Sequence, residues 1–461
     1  MVGYGIGYIA QGSTYNFMGA YFVIFLTNSV GLDSAMAAAI TSIALLAEVI
    51  SGMIVGNLSD NCKLTIGRRR PFILAAAICM PVIIVLLMRT IEGSTVVKFI
   101  YYLVLSVLFR TAFSTFEIPN NAFGAEIASG YDERTRLRTI SRAFSIVGNA
   151  VGYVLPLWIL DLFPANAGKG WQTIGCIVGA VAFCSWIASF HLTKDKDSPA
   201  SGVFATGSRD MVRRIFRNYA QLCRLRAMRL LMVYKAGFSC AFALFNVATI
   251  YYLQYSLGLG NRYSSYMYVL TISVFIITTP IADKMARVFG KAKQQMIAMG
   301  MAACIGYFVF FFLPSSPVGA ICYVIGFSIM QSSFWQLSGS IFYDIVEVDE
   351  FVNGKRREGD IMSLVSVLGT LTTAVMVQLF GVFLDLSGFD SGLAVQGEGA
   401  VLFLNIAYIF VPSLCFTAGC IALHLFPVNK KTFGALTSAL ELRRQGRDFS
   451  VHMEEIEQIL R

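Results

Sequence analysis

The sequence predicts an all-α polytopic membrane protein with twelve transmembrane helices in two pseudo-symmetric six-helix halves. Of its 461 residues, 56% are hydrophobic and only 14% are charged, whereas a soluble domain carries about 25% charged residues. Apolar stretches of roughly 20 residues, long enough to cross a bilayer core, recur along the chain. In none of these stretches do apolar and polar residues alternate with the period of two that is typical of a strand. Because backbone groups in lipid must form hydrogen bonds within the protein, the stretches are predicted to be helices.

Twelve apolar stretches are predicted to be the transmembrane helices. In chain order they cover residues 3–28, 33–58, 71–90, 97–125, 138–163, 171–193, 228–258, 263–281, 293–313, 317–345, 360–385 and 400–427. The first stretch has neither a basic segment before it nor a small-residue cleavage site, so we expect it to be retained rather than removed as a signal peptide.

Basic residues are distributed unevenly among the connecting loops. Most of the 36 Lys and Arg residues lie in the even-numbered loops and the C-terminal tail. Because basic residues remain on the cytoplasmic side during insertion, we expect a multi-pass protein of the plasma membrane with both termini in the cytoplasm. Contact with anionic lipid headgroups then explains the formal net charge of +9, and nucleic acid is not expected as a partner.

A repeated loop pattern indicates two related halves. After the second stretch Asp60 precedes Gly67 by seven residues, and after the eighth stretch Asp283 precedes Gly290 by the same interval. Two parallel six-helix repeats are typical of transporters that bind solute near the bilayer midplane. The predicted organisation is a first half over 1–193, a cytoplasmic linker over 194–227, a second half over 228–427 and a cytoplasmic tail over 428–461.

Charged residues of both signs occur together in the loops predicted to be cytoplasmic. The candidate gate residues among them are Asp60, Arg68, Asp132, Arg134, Asp283 and Arg357. We interpret them as ion pairs that form when the cytoplasmic side closes and separate when it opens. The alternative is a solvated loop surface, on which an exposed pair contributes only about 0 to 1 kcal/mol.

Two acidic residues lie within predicted transmembrane helices. Glu48 has Ser51 one turn later, and Glu117 has Ser114 one turn earlier. A charge at the bilayer centre costs about 2.5 to 3.5 kcal/mol on insertion scales, so such residues indicate function. A carboxylate beside a hydroxyl oxygen suits a hard cation or a transferable proton. These four residues are therefore the candidate cation site, with Na⁺ at Glu48 and Glu117 as the single metal considered.

A structural role is the alternative for these acids. Arg110 lies two helical turns before Glu117 on nearly the same face, and Arg142 lies at the entry of the fifth helix. Either arginine could neutralise Glu117. Lys235 lies near the start of the seventh helix, and we expect its side chain to extend towards the membrane interface.

Polar and aromatic side chains recur at helical spacing and could bind a polar ligand with apolar ring faces. They are Tyr8, Gln11 and Tyr15 in the first helix, Asn120 and Asn121 in the fourth, and Gln331 and Trp335 in the tenth. Each could instead hold helices together. The glycine pairs at 52 and 56 and at 148 and 152 have the small-xxx-small spacing of close helix contacts.

Six segments carry a family resemblance that extends over nearly the whole chain. They are residues 4–7, 60–71, 117–119, 132–142, 252–258 and 344–359. These segments resemble the glycoside-pentoside-hexuronide:cation symporter family, the melibiose permease-like branch of the major facilitator superfamily. The resemblance implies a twelve-helix transporter that couples sugar import to a cation.

The resemblance also implies which residues bind. In that family an acid in helix two, an acid in helix four and nearby oxygens hold the cation, which implies Glu48, Ser51, Ser114 and Glu117 here. The helix-four acid and a helix-five arginine also contact sugar, which implies Glu117 and Arg142. The candidate substrate-binding residues are Gln11, Glu117, Asn121, Arg142 and Trp335.

The chain departs from the family pattern at several positions. The second acid of helix two aligns with Gly52, the sugar-binding acid of helix one with Gly12, the helix-four tryptophan with Asn121 and the helix-eleven lysine with Thr370. With fewer carboxylates, a proton becomes at least as good a coupling ion as sodium. An anionic or more apolar solute is considered equally with a simple galactoside.

The sequence therefore predicts an H⁺- or Na⁺-coupled symporter that imports a glycoside, uronide or related small organic solute by alternating access. The alternatives are an uncoupled carrier, a carrier of lipids or amphiphilic anions, and a membrane sensor that does not transport. An enzyme is not expected, because the sequence has no Walker A, HExxH or GxSxG motif. We expect a monomer surrounded by membrane lipid, with no cofactor beyond the coupling ion.

Overall fold

The computed structural model describes residues 1–60, 62, 64, 66–127, 131–194, 217–354, 357–393, 395–445, 447–448, 451 and 453–460. In these residues the secondary structure is helical and no strand is present. The chain divides into two compact units. Unit 1 consists of Met1–Phe204, Ala243–Ile272 and Thr373–Tyr408, and unit 2 consists of Ala205–Phe242, Ser273–Thr372 and Ile409–Arg461.

Each of the twelve predicted stretches is helical over most of its length, which confirms the predicted α-helical membrane fold. The helices are α1 (Val2–Asn28), α2 (Ser34–Asp60), α3 (Arg70–Leu87), α4 (Thr95–Ile127), α5 (Tyr131–Tyr153), α6 (Leu155–Leu162), α7 (Ala167–Leu192), α8 (Arg226–Tyr251), α9 (Asn261–Phe289), α10 (Lys291–Phe312), α11 (Pro317–Asn353), α12 (Glu358–Leu386), α13 (Glu398–Asn405), α14 (Val411–His424), α15 (Lys430–Arg444) and α16 (Met453–Leu460). Short π-helical turns follow α8 at Tyr252–Ser256 and join α13 to α14 at Ile406–Phe410.

Helix α1 differs from the other predicted membrane helices in composition. Among the described residues, eleven helical segments are long and apolar enough to cross a membrane, and α1 is not one of them. It carries polar residues such as Gln11, Thr14 and Asn16. Most of α1 is buried, and it packs against α5 and α7. Its polar side chains therefore lie largely within protein, where they cost less than in lipid.

Helices α1 and α5 approach each other closely in unit 1 because α5 presents glycines at the contact. A Cβ atom at Gly148 would overlap the carbonyl oxygen of Ile9, and one at Gly152 would lie 2.6 Å from the carbonyl oxygen of Ser13. Only glycine allows backbones to approach this closely. The contact fixes α1, which carries Gln11, against α5.

Unit 1 also contains contacts between residues that are far apart in the chain. The carboxylate of Asp385 in α12 accepts hydrogen bonds from the backbone N–H groups of Ser34 and Ala35 over 2.9 and 2.7 Å, and so satisfies donors in the first turn of α2. Tyr153 Oη donates to Asn246 Oδ1 over 2.7 Å. The early helices are thus packed against segments of α8 and α12.

In unit 2, α10 packs against α11 and α14, and α15 packs against α11. Arg443 in α15 donates a hydrogen bond to the carbonyl oxygen of Phe351 over 3.0 Å. Asn429 caps the start of α15 and accepts from the backbone N–H groups of Lys431 and Thr432. The segment predicted as a tail therefore begins with a helix that is attached to the end of α11.

Candidate functional site

Glu117 lies in α4, and its carboxylate is held by a residue of α1. Gln11 Nε2 donates a hydrogen bond to Glu117 Oε1 over 2.9 Å. No other described side chain forms a hydrogen bond or an ion pair with this carboxylate. Within the described part of the chain, Glu117 is therefore not neutralised by a basic residue.

Glu48 has a different environment, although it also lies in a membrane-spanning helix. Arg110 Nη1 lies 3.0 Å from Glu48 Oε2, and only 7% and 16% of the two side chains are exposed. The Arg110 guanidinium also lies 5.6 Å from the ring centroid of Tyr15. If the membrane acids had only a structural role, the sequence predicted that Arg110 could neutralise Glu117. The structure instead pairs Arg110 of α4 with Glu48 of α2.

The two serines of the predicted cation site lie together between α2 and α4. Ser51 Oγ lies 3.4 Å from Ser114 Oγ. The hydroxyls donate to the backbone carbonyl oxygen of Glu48 over 3.1 and 3.5 Å. They contact the backbone of Glu48 and not its carboxylate.

The residues present do not fit a sodium ion bound by Glu48. Its carboxylate is bonded to the Arg110 guanidinium, whose positive charge opposes a second cation at the same oxygens. In the described residues no group of three or more His, Cys, Asp or Glu side chains could hold a metal.

A second polar contact between α1 and α4 lies beside Glu117. Tyr8 Oη donates to Asn121 Oδ1 over 3.0 Å, and Tyr4 Oη lies 2.8 Å from Tyr8 Oη. Asn121 is exposed. Gln11 and Asn121, both predicted to bind substrate, are thus brought to the same pair of helices. Arg142 is half-buried in α5 and makes no ion pair with Glu117.

Helix packing leaves little space at Gly12 and Gly52, the two positions where acids of the resembled family are missing. A Cβ atom at Gly12 would lie 2.7 Å from both Asn149 Oδ1 and the carbonyl oxygen of Ser145, and one at Gly52 would lie 2.9 Å from Ile118 Cδ1. At Gly12 the clash includes backbone atoms of α5, so an acidic side chain there would require α1 and α5 to move apart. At Gly52 the end of the flexible Ile118 side chain would have to shift. Close packing of α1 against α5 therefore accounts for the missing acid at Gly12.

Trp335, the remaining predicted substrate residue, lies in unit 2. Its ring meets those of Phe238 and Phe242 edge to face, with centroids 5.9 and 6.1 Å apart. It is 46% exposed. The sequence indicated Trp335 through its spacing from Gln331, but gave no sign of the aromatic partners from α8.

The predicted gate residues are placed differently from one another. The side chains of Asp60, Asp132 and Arg134 lie outside the described part of the structure. Arg68 is half-buried in the loop before α3. Asp283 pairs with Arg287 one turn later in α9 at 2.8 Å, and both side chains are exposed.

Arg357 is held in a buried ion pair at the end of α11. Its Nε and Nη2 atoms donate to Asp349 Oδ2 and Oδ1 over 2.8 and 2.5 Å, and Nη1 donates to Gln221 Oε1 over 2.7 Å. The hydrogen bonds to Asp349 raise the pKa of Arg357 above its ordinary value. This bidentate geometry is among the stronger forms of ion pair.

Comparison with known proteins identifies the family model that the chain matches. The model described as MFS/sugar transport protein matches residues 3–430. The symporter YjmB of Bacillus subtilis (strain 168), a protein named as uncharacterized, is 24% identical over 418 residues, which are 89% of this chain and 88% of that protein.

Two further similarities concern a named sugar carrier and a solved structure. A glucuronide carrier protein homolog of Escherichia coli (strain K12) is 22% identical, with 96% of each chain covered. The crystal structure of a D-xylose-proton symporter matches with a TM-score of 0.65 at 14% identity, covering 92% of this chain and 95% of that one. At this identity the structural match shows the fold alone.

Proposed function

Because the chain belongs to the MFS/sugar transport protein family, we propose that it is a symporter that imports a glycoside or uronide together with a proton carried by Glu117. The sugar class is supported by relatives such as the glucuronide carrier homolog. The solute crosses the membrane without covalent change, so the proposed function is transport and not enzymatic catalysis.

The contrast between the two membrane acids carries the proposal. Glu48 is neutralised by Arg110, whereas the carboxylate of Glu117 has only the hydrogen bond from Gln11. An ionised carboxylate without a counter-cation is costly inside a membrane protein. A proton removes that charge, so a carrier with protonated Glu117 moves between its two states more easily than one with ionised Glu117.

The Gln11 hydrogen bond offers a way to couple solute to proton. Gln11 is a predicted sugar contact, and its amide currently donates to Glu117 Oε1. A sugar hydroxyl that replaces this amide as the partner of Glu117 alters the stability of the ionised carboxylate. By reciprocal linkage, a solute that favours the protonated acid binds more tightly when the proton is present.

The proposed setting is a multi-pass protein of the plasma membrane with both termini in the cytoplasm. The eleven apolar helical segments support the multi-pass arrangement, and the basic residues of the even-numbered loops support the orientation. We propose a monomer in contact with membrane lipid.

Uptake into proteoliposomes tests the proposal. We expect the wild-type protein to accumulate a sugar or uronide under an inward proton gradient and to lose accumulation when that gradient is collapsed. Glu117→Gln mimics the protonated acid, so it should retain exchange of solute across the membrane but lose gradient-driven accumulation. Glu398→Gln, at an exposed acid outside the site, is the matched control and should behave as wild type.

Several outcomes would contradict the proposal in different ways. Full accumulation by Glu117→Gln would exclude this residue as the proton carrier. Accumulation driven by a sodium gradient alone would assign coupling to Na⁺. Uptake that responds to neither gradient would indicate an uncoupled carrier, and binding without any uptake would indicate a sensor.

A further inference from the structure

Lys235 is a basic residue inside a membrane-spanning segment that the proposed transport cycle does not use. It lies in α8, which forms part of a segment long and apolar enough to cross a membrane. It follows Arg226, the first residue of α8, by nine positions, which is roughly 13.5 Å along a helix that rises about 1.5 Å per residue. A lysine at such a position is rare and marks a binding or conducting site by default.

The side chain of Lys235 is directed towards aromatic rings and not towards the end of its helix. Its Nζ atom lies 5.2 Å from the ring centroid of Phe334 and 6.0 Å from that of Phe238. A Cβ atom at Gly369 in α12 would lie 2.8 Å from Lys235 Cε. The side chain thus spans from α8 to α11 and α12, which differs from the expected extension to the membrane interface.

The ammonium group of Lys235 has no anionic partner among the described residues. No described side chain or carbonyl group accepts a hydrogen bond from it, and the groups near it are the rings of Phe334 and Phe238 and the backbone at Gly369. Lys291 in the same unit is the opposite case, since its Nζ lies 2.7 Å from Asp344 Oδ1 and 3.0 Å from Ser340 Oγ. Ring faces attract a cation but leave its charge and its N–H donors available to an anion.

The surroundings of Lys235 suit the rest of a sugar. Trp335 lies next to Phe334, is 46% exposed and offers the kind of flat apolar surface on which a sugar ring packs. Gln331, one turn earlier in α11, has a buried Oε1 atom without a hydrogen-bond partner. A hydroxyl group would satisfy that acceptor.

We infer that Lys235 binds the carboxylate of a sugar acid, so that the preferred solute is a uronate or uronide and not its neutral counterpart. The inference rests on the proposed function and names the solute class within it. A carboxylate neutralises the unpaired ammonium group through charge-assisted hydrogen bonds. The ring of the same solute packs beside Trp335.

Binding of matched acid and neutral sugars to the purified protein tests this inference. The probes are glucuronate with glucose, galacturonate with galactose, and methyl glucuronide with methyl glucoside, and the readout is the dissociation constant. The wild-type protein should bind at least one acid more tightly than its neutral partner. Lys235→Gln should weaken binding of that acid by about tenfold to a hundredfold, as expected for loss of a hydrogen bond to a charged group. It should change binding of the neutral partner by less than about twofold.

Two further variants separate charge from packing. Lys235→Arg keeps the positive charge and should restore most of the preference for the acid. Lys291→Gln removes a lysine that already has an acidic partner and should leave the preference unchanged. The unfolding midpoint of each variant without ligand shows that it is folded.

The outcomes distinguish this inference from the proposed function. If the wild-type protein binds and imports neutral sugars as well as or better than their acids, Lys235 is not an anion site, while the proposed symport stands. If Lys235→Gln weakens both members of a pair equally, the lysine acts through packing and the inference is wrong. If no sugar of either kind is bound, both the inference and the proposed function are overturned.

Discussion

Glu48 and Glu117 in unit 1 and Lys235 in unit 2 are charged residues that have different kinds of partner inside a membrane protein. In unit 1, Glu48 is paired with Arg110 at 3.0 Å, and the second acid, Glu117, has a neutral amide as its partner. In unit 2, the Lys235 ammonium group lies near the rings of Phe334 and Phe238 and has no anionic partner among the described residues.

This difference separates structural charges from those available to a ligand. The Glu48 pair is complete, so removing one member leaves the other uncompensated. Glu117 and Lys235 lack an oppositely charged partner among the described residues. Their charges have opposite signs, which suits a proton at Glu117 and a carboxylate at Lys235. We therefore expect substitutions in the Glu48–Arg110 pair to change stability most, and substitutions of Glu117 or Lys235 to change ligand binding most.

The largest effect on stability is expected from Arg110→Gln. Breaking a buried ion pair by removing one partner costs about 3 to 5 kcal/mol of unfolding free energy, because the remaining charge is left unpaired. Denaturant titration of the purified protein in detergent would measure it. The double variant Arg110→Gln with Glu48→Gln removes both charges and should recover much of the loss. A single variant as stable as wild type would show that Glu48 does not depend on Arg110.

An intermediate effect on stability is expected from Gly12→Ala. This substitution tests whether close packing of α1 on α5 positions Gln11 beside Glu117. The added methyl group would lie 2.7 Å from the carbonyl oxygen of Ser145, so the helices must separate, at a cost of about 1 to 3 kcal/mol. Displacement of α1 also moves Gln11 from Glu117, so uptake should fall together with the unfolding midpoint.

Gly339→Ala is the matched control for that substitution. Apart from its chain neighbours and its own helix backbone, a Cβ at Gly339 would have no atom within 4 Å, and alanine is favoured over glycine in a helix by about 1 kcal/mol. The variant should be at least as stable as wild type. Equal loss of stability in both variants would contradict the packing argument for Gly12.

The smallest effect is expected from Asp283→Asn, an exposed charge that contrasts with the buried ones. Asp283 pairs with Arg287 one turn away, and the side chains are 39% and 79% exposed. Such a pair contributes about 0.3 to 0.5 kcal/mol, so the unfolding midpoint should hardly change. Reduced uptake by a variant of unchanged stability would indicate that Asp283 pairs with another residue in a different state of the cycle.

Much of the fold and part of the site could be predicted from local sequence. Every predicted stretch contains a helix, and for eleven of the twelve the length and hydropathy of the described residues are sufficient to mark a candidate membrane span. Glu48 and Glu117 are predictable because an acid within an apolar stretch stands out without knowledge of its neighbours in space. Helix α11 continues to Asn353, beyond its predicted end at 345, and ends at Gly354, whose left-handed backbone conformation is typical of a helix C-cap.

Partners of the charged residues could not be predicted in the same way. Arg110 shares a helical face with Glu117, but the rotation of α2 against α4 brings Glu48 to it instead. Tyr8 and Asn121 are more than a hundred residues apart and meet only because α1 and α4 pack together. Nor does the sequence around Asp385 suggest that this residue caps α2.

The sequence by itself determined the helical membrane fold, the family and the presence of charges within the membrane, because composition and motif spacing are properties of contiguous residues. Tertiary structure alone decided that Arg110 neutralises Glu48, that Glu117 keeps an amide partner, and that Lys235 faces aromatic rings. Each of these depends on how helices distant in the chain rotate and approach one another. That arrangement follows from packing at glycines and rings, which no single stretch of sequence encodes.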